Sequence, residues 1–233
     1  MTQYIFDVDG TLTPSRQMMD QAFENWFEHF ATHHAVYLVT GSDRDKTIAQ
    51  VGKTIYNLAV RVYNCSGNDV WEGDKNIKSN VLELTDNLRT DLESILNESK
   101  FYHKTGYHID VRPGLINFSV VGRRCTLEHR SMYKQWDEHK KEREKIVDQL
   151  TPKYPNLLFT IGGETGIDIT ERGKDKAQII HDFSNPKDLY FFGDKMEYGG
   201  NDYTLSLLIS HSGGRIKQVK NWEDTWDALM KES

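Results

Sequence analysis

Two aspartates, Asp7 and Asp9, stand two residues apart at the end of the first apolar run, Tyr4-Ile5-Phe6, with Gly10 directly behind them. Alternate residues of a strand point to one side, so both carboxylates are expected to face one cleft. Gly10 lets the chain turn closely beside them. Carboxylates in that place suit a hard cation such as Mg2+, which takes oxygen ligands. They also suit covalent phosphoryl transfer, with one aspartate as nucleophile and the other as general acid/base. A pair of turn-forming aspartates is the plain structural alternative. A second polar grouping lies mid-chain. Arg112-Pro113-Gly114-Leu115 reads as a tight hairpin turn. If Arg112 pairs with Leu115, then His108, Asp110, Arg112, Asn117, Ser119 and Arg123 share one face. Ile109, Val111, Ile116, Phe118 and Val120 take the other face and are expected to pack on helices. Arg130 falls in the first turn of the next helix, where a cation is unfavourable unless an anion binds beside it. Ordinary surface salt bridges, worth little, are the alternative for each arginine.

The elements that must position these groups follow from the pattern. Tyr4–Phe6 reads as a buried strand. Thr13-Pro14 reads as a helix start, with Thr13 as N-cap and Pro14 at the first helical position. Met18, Met19, Ala22, Phe23, Trp26, Phe27 and Phe30 form a helical stripe up to about His33. Ala35 to Val39 is a second strand, followed by Thr40-Gly41-Ser42-Asp43, a helix to about Gly52, and a third strand, Ala59 to Tyr63. This order predicts a parallel sheet with crossover helices, whose ligands sit beyond the strands' carboxyl ends. The pattern then changes. A helix over 81–98 precedes strands at 108–112 and 115–123. A charged helix over 127–150, with Asp137 and Lys141 as an i,i+4 pair, precedes strands at 157–161 and 166–170. That stretch predicts an α+β unit with antiparallel strands. The first style returns with a helix at 175–181, a strand at 189–192, a helix from about Asp202, a strand at 216–219 and a helix at 222–230. The prediction is an α/β core built from residues 1–75 and 173–233, with an α+β domain of residues 76–172 inserted.

Composition excludes several classes. With 29 Lys+Arg against 35 Asp+Glu the net charge is −6, which repels a phosphodiester backbone, so no nucleic-acid partner is expected. The longest apolar run near the end, Leu205 to Ser210, is far too short for a bilayer, so no membrane partner is expected either. Two cysteines, Cys65 and Cys125, cannot build a disulfide framework and fit a reducing, cytoplasmic location. The first ten residues lack a basic segment and a long apolar stretch, so no signal peptide is expected. Gly162-Gly163-x-x-Gly166 lies between two strands and is no dinucleotide fingerprint.

Phe6-Asp7-Val8-Asp9-Gly10-Thr11-Leu12-Thr13 resembles the first motif of the haloacid dehalogenase superfamily of phosphotransferases. Thr40-Gly41-Ser42 resembles its second motif; Ser42 could equally be an N-cap. Lys176 in Gly173-Lys174-Asp175-Lys176 resembles the third, with Lys174 as the neighbouring alternative. Gly193-Asp194-Lys195 with Gly199-Gly200-Asn201-Asp202 resembles the fourth, although Asp202 could be only a helix N-cap. The long insert lies between motifs two and three, as in the subclass with an α/β cap. Ile109 to Cys125 is similar to the cap of eukaryotic-type α-phosphomannomutases, and Leu189 to Asp202 to their fourth motif. The resemblance covers nearly the whole chain. It implies a Rossmann-like core with an α/β cap, and a Mg2+-dependent phosphotransferase interconverting mannose 6-phosphate and mannose 1-phosphate. A sugar-phosphate phosphatase working through the same aspartate is the alternative. It implies Asp7 as nucleophile, Asp9 as acid/base, and Ser42 and Lys176 on the phosphoryl group. It places Mg2+ on Asp7, the Asp9 carbonyl, Asp194 and Asp202. Arg16, Arg112, Asn117, Arg123, Arg130 and Asp168 would bind a sugar phosphate, with a hexose 1,6-bisphosphate as activator and a homodimer formed through the cap. Two departures stand out. Gly166 occupies the place of a serine beside the substrate phosphate, and Cys65-Ser66-Gly67-Asn68 replaces a Glu-Asn-Gly.

Overall fold

The computed structural model describes residues 2–232 and divides into two units. One runs to Asn80 and resumes at Gly173; the other is Val81–Arg172. No helix among the described residues is long and apolar enough to cross a membrane.

The first unit is a seven-stranded sheet flanked by helices. Its strands are β1 (Gln3–Phe6), β2 (Ala35–Val39), β3 (Arg61–Asn64), β4 (Asp69–Glu72), β5 (Lys75–Ser79), β10 (Leu189–Gly193) and β11 (Arg215–Gln218), in the order β11-β10-β1-β2-β3-β4-β5. Strands β11 through β3 are parallel, and β4 and β5 are antiparallel. The aromatic run Leu-Tyr-Phe-Phe of β10 is wholly buried, as a central parallel strand covered on both faces requires. Pairing of β1 with β10 sets Phe6 opposite Phe192, with ring centroids 5.0 Å apart. Asp7 and Asp194, far apart in sequence, thus leave the sheet at its same end. Helices α1 (Gln21–His33), α2 (Arg44–Leu58) and α7 (Trp222–Met230) share one buried cluster with the sheet, and α6 (Tyr203–His211) contributes Leu205 and Ile209 to the other. Phe23, Phe27 and Phe30 of α1 form the buried stripe, with Trp222 and Trp226 stacked on Phe23.

The second unit is a four-stranded antiparallel sheet, β6-β7-β9-β8, made of β6 (Ile109–Arg112), β7 (Leu115–Phe118), β8 (Leu157–Gly162) and β9 (Gly166–Glu171). Helices α3 (Asp86–Glu98), α4 (Leu127–Lys140) and α5 (Glu142–Leu150) accompany it. A separate core holds Leu88, Leu92, Phe101, Ile116, Phe118, Tyr133 and Ile167.

Several elements depart from the sequence reading. The first boundary lies at 80/81 rather than 75/76, because the polar hairpin β4–β5 extends the core sheet. Helix α1 begins at Gln21, not at Thr13. Asp20 is its N-cap, accepting from the Ala22 and Phe23 amides at 2.9 and 3.1 Å. The Thr13 hydroxyl donates back to the Val8 carbonyl and accepts from Gln50, so it caps nothing, and Met18 is exposed. The helix expected over 127–150 breaks at Lys141, which is left-handed (φ 53°). Asp137 pairs there with Arg143, at 2.7 Å from Nε and 2.8 Å from the backbone N–H, and Lys141 pairs instead with Glu144. The segment after Asp175 is a 3-10 helix, Lys176–Asp182. Val111, expected in the core, is 53% exposed because β6 is an edge strand.

Candidate active site

In the first unit the residues gather around Lys176. This lysine is fully buried; its Nζ donates to Asp7 Oδ1 at 2.6 Å and to Asp202 Oδ1 at 2.7 Å. Asp202 is no side-chain cap of α6: its second oxygen accepts the Lys195 amide at 3.1 Å. Lys174 stays outside, its carbonyl held by Asn68 and Gln178. Oxygens of Asp7, Asp194 and Asp202 all lie within 4.8 Å of one another. The backbone makes this crowding possible. A side-chain carbon on Gly10 (φ 88°) would come within 2.7 Å of Asp194 Oδ2, and one on Gly193 within 2.7 Å of Asp202 Oδ2. Glycine at both positions lets the first and fourth motifs close on each other.

The charges of this group do not balance internally. Three carboxylates face the buried Lys176 ammonium and the partly exposed Lys195, whose Nζ lies 3.6 Å from Asp194 Oδ2. Burial raises the Asp7 carboxyl well above its ordinary range, with Lys176 pulling it down and Asp202 and Asp194 pushing it up. Burial, reinforced by Asp202, pushes Asp194 up to about 7. Burial alone would lower the Lys176 ammonium, but Asp202 and Asp7 outweigh it and raise it above its usual value. A hard divalent cation supplies the missing positive charge and takes the oxygen ligands that are present, so the donor set fits such an ion.

Asp9 stands in a second network. Its Oδ1 accepts from the Arg16 amide at 2.7 Å and from Gln50 Nε2 at 3.0 Å. Its Oδ2 accepts from Ser42 Oγ at 3.1 Å and from Lys46 Nζ at 3.2 Å, and Lys46 also donates to Ser42 Oγ at 2.8 Å. Burial opposes its charge, but Lys46, Gln50 and Ser42 together hold the Asp9 carboxyl below its ordinary value. It is therefore a carboxylate at neutral pH. Its side chain is not part of the Asp7–Asp194–Asp202 group. Ser42 is not an N-cap; Asp43 caps α2 by accepting the Lys46 amide. Arg16 is left-handed (φ 58°) and contributes its backbone N–H to Asp9. Lys46 and Gln50 were not singled out in the sequence. The available signal was spacing: Lys46 and Gln50 stand four apart on the predicted helix, hence on one face, directly after Ser42-Asp43.

In the second unit the hairpin pairs Arg112 with Leu115 and Asp110 with Asn117, the register the turn predicts. Asp110 Oδ2 accepts from Arg112 Nε at 3.0 Å and Nη2 at 2.6 Å, and lies 3.3 Å from Arg123 Nη2. Arg123 Nη1 donates to Asn117 Oδ1 at 3.2 Å, and Asn117 Nδ2 donates to Asp168 Oδ1 at 2.7 Å. The polar face thus forms one connected network. Gly166 abuts it: a side-chain carbon there would meet Asn117 Nδ2 at 2.6 Å. Arg130 joins the adjoining turn, donating to Thr165 Oγ1 at 3.1 Å and to Glu164 Oε2 at 3.4 Å.

Comparison with known proteins places this arrangement. Residues 23–231 match the family model described as eukaryotic phosphomannomutase. A phosphomannomutase of Drosophila melanogaster is 33% identical over 223 residues, covering 89% of this chain and 88% of that protein. One of Arabidopsis thaliana is 33% identical over 224 residues, covering 89% of each. Among solved structures, a haloacid dehalogenase-like hydrolase from Bacteroides thetaiotaomicron superposes with a TM-score of 0.62 at 12% identity, covering 100% of this chain and 99% of that one. The sucrose-phosphatase from Synechocystis gives 0.56 at 13% identity, covering 99% and 98%. These structures establish a haloacid dehalogenase-like fold.

Proposed function

Because the chain belongs to the eukaryotic phosphomannomutase family, we propose that it is a Mg2+-dependent phosphotransferase that interconverts mannose 6-phosphate and mannose 1-phosphate through a phosphorylated Asp7. The observation that carries the reading is the buried Lys176, within 2.7 Å of both Asp7 and Asp202, with Asp194 alongside. Mg2+ would be held by Asp7, Asp194 and Asp202 with the Asp9 carbonyl, and when bound supplies positive charge against the phosphoryl oxygens.

The residues divide the chemistry as follows. In the form phosphorylated on Asp7, Asp9 takes the proton of the sugar hydroxyl while that oxygen attacks phosphorus and the bond from phosphorus to Asp7 breaks. Its ionised resting state suits it to this first step. The resulting hexose bisphosphate reverses its orientation. Asp7 then attacks the other phosphoryl group, and the departing ester oxygen receives the proton that Asp9 had taken. Over the two half-reactions the proton and the phosphoryl group are both returned. Lys176 and Ser42 stabilise the charge on the transferring group. Arg16, Arg112, Asn117, Arg123, Arg130 and Asp168 bind the sugar phosphate, the arginines favouring a ligand with a second anionic group. A cytoplasmic location and a homodimer formed through the inserted unit accompany this reading.

The purified protein with Mg2+ and mannose 1-phosphate, with and without a hexose 1,6-bisphosphate, tests it. Mannose 6-phosphate formed only with the bisphosphate is the expected result. Release of free phosphate alone would replace the mutase with a phosphatase.

A further inference from the structure

The turn between β8 and β9 carries an acidic residue against one of the arginines that the proposed function assigns to phosphate. Arg130 is 3% exposed. Arg130 is paired with Glu164, whose Oε2 lies 3.4 Å from Nη2 and whose Oε1 lies 3.8 Å from Lys134 Nζ. The Glu164 side chain keeps about a third of its surface in solvent. The turn is fixed from the side by Arg143, whose Nη1 donates to the carbonyls of Gly163 at 3.2 Å and Gly166 at 3.3 Å. Arg143 is itself fixed by Asp137, where the helix breaks at Lys141. So Glu164 is presented to Arg130 by a built turn, and does not reach it as a loose surface chain. The pair is long for a charge-assisted hydrogen bond, which runs near 2.7–2.9 Å. A phosphate dianion offers more charge and more acceptor oxygens than this carboxylate.

We propose that Glu164 is a built-in competitor at Arg130, a specificity residue that an incoming phosphate must displace and that weaker anions do not. The proposal rests on the reading that Arg130 takes a substrate phosphate. Its mechanism is exchange of one ion pair for another, with Glu164 moving into solvent and toward Lys134. Removing the charge without altering the shape should therefore tighten phosphate binding.

The test is titration calorimetry of Asp7→Asn protein, which cannot turn over, with mannose 1-phosphate and with inorganic phosphate. Three chains are compared: the parent, Glu164→Gln and Arg130→Gln. Glu164→Gln is expected to tighten mannose 1-phosphate by about threefold, the size of a partly exposed charge pair. It should tighten inorganic phosphate as well. Unchanged or weaker binding in Glu164→Gln, with Arg130→Gln still weakened, overturns the competitor role and leaves the phosphate reading of Arg130 standing. Unchanged binding in Arg130→Gln overturns that reading itself, and the competitor role with it. Retained tryptophan fluorescence and melting temperature confirm that each chain compared is folded.

Discussion

Replacing Lys176 with Met tests the central claim about the site. The side chain is fully buried, at 2.6 Å from Asp7 and 2.7 Å from Asp202. Met keeps much of its length and removes its charge, so what changes is electrostatic. Breaking a buried ion pair by deleting one partner costs about 3–5 kcal/mol, because the remaining charge is stranded without compensation. Here two carboxylates are stranded with Asp194 nearby, so the upper part of that range is expected at pH 8 without a divalent ion. The pH dependence has a definite sign. Burial already raises the Asp7 carboxyl above its ordinary value, and Lys176 is what pulls it down. Without the lysine the folded-state value rises further. An acid with a raised folded-state value contributes stability that is fully present below its ordinary value and lost as pH rises through the raised one. The penalty of Lys176→Met should therefore be larger at pH 8 than at pH 5. Urea unfolding in EDTA, followed by tryptophan fluorescence, reads the relevant unit. Of the five tryptophans, Trp26, Trp71, Trp222 and Trp226 lie in the first unit and Trp136 in the second. Lys176→Met with Asp202→Asn should recover part of the loss, since one stranded charge is gone. A penalty equal at both pH values, or below about 1 kcal/mol at pH 8, would refute the ion-pair account of the site.

Three further outcomes follow from the same geometry. Mg2+ should raise the melting temperature over EDTA more at pH 8 than at pH 6. Asp194 titrates at about 7 without a cation, so the apo-protein loses stability as pH rises through that value and the ion restores it, whereas at pH 6 binding must displace a proton; equal increments would remove Asp194 from the cation site. Lys46→Met should lower kcat roughly tenfold, with Lys46→Arg recovering most of it, because Asp9 loses a charged partner at 3.2 Å. The same variant should cost less than about 1 kcal/mol in urea unfolding, the pair being partly exposed. Gly166→Ser should displace the Asn117 amide from Asp168 and raise the KM for mannose 1-phosphate, and adding Asn117→Ala should relieve the collision without restoring the KM; an unchanged KM in the single variant would take position 166 out of substrate binding.

The sequence made some parts of this molecule legible and hid others for identifiable reasons. The hairpin at Arg112–Leu115 could be registered because a Pro-Gly turn fixes the pairing and period-2 alternation then assigns each face. The Asp7–Asp9 pair could be placed because a short apolar strand ends directly before it. Hairpin β4–β5 escaped because Asp69–Glu72 and Lys75–Ser79 carry little apolar alternation and lie at the outer edge of the sheet. The start of α1 was misplaced because Thr13-Pro14 satisfies local capping preferences, while the Thr13 hydroxyl is claimed by Val8 and Gln50. The Val8 contact belongs to the turn after β1, and Gln50 lies 37 positions away, beyond the reach of any local rule. The break at Lys141 went unread because a left-handed lysine carries no signal of its own; Asp137 and Arg143 compensate it through tertiary bonds. The Asp9 carboxylate was legible as a group but not in its partners, since Lys46 and Gln50 look like ordinary helix-surface residues until the helix is docked.

The placement of the inserted unit explains why so divided a chain still builds one charge-coupled site. Asp7 and Lys176 are 169 positions apart, yet Asp7 directly follows β1 and Lys176 opens the 3-10 helix whose Ile179 and Ile180 share a buried cluster with Ile5 of β1 and Phe191 of β10. The insert leaves the core after β5, at the sheet's far edge, and returns just before Lys176. None of the parallel pairings among β11, β10, β1, β2 and β3 has to accommodate it. The polar face of the insert could therefore vary, as with Gly166 against Asn117 or Glu164 against Arg130, without disturbing Asp7, Asp194, Asp202 and Lys176. Those four are tied more tightly. Each fills space or balances charge for the others, and a side chain at Gly10 or Gly193 would intrude on a carboxylate. The group formed by Asp7, Asp194, Asp202 and Lys176 is thus constrained as a unit by packing and charge.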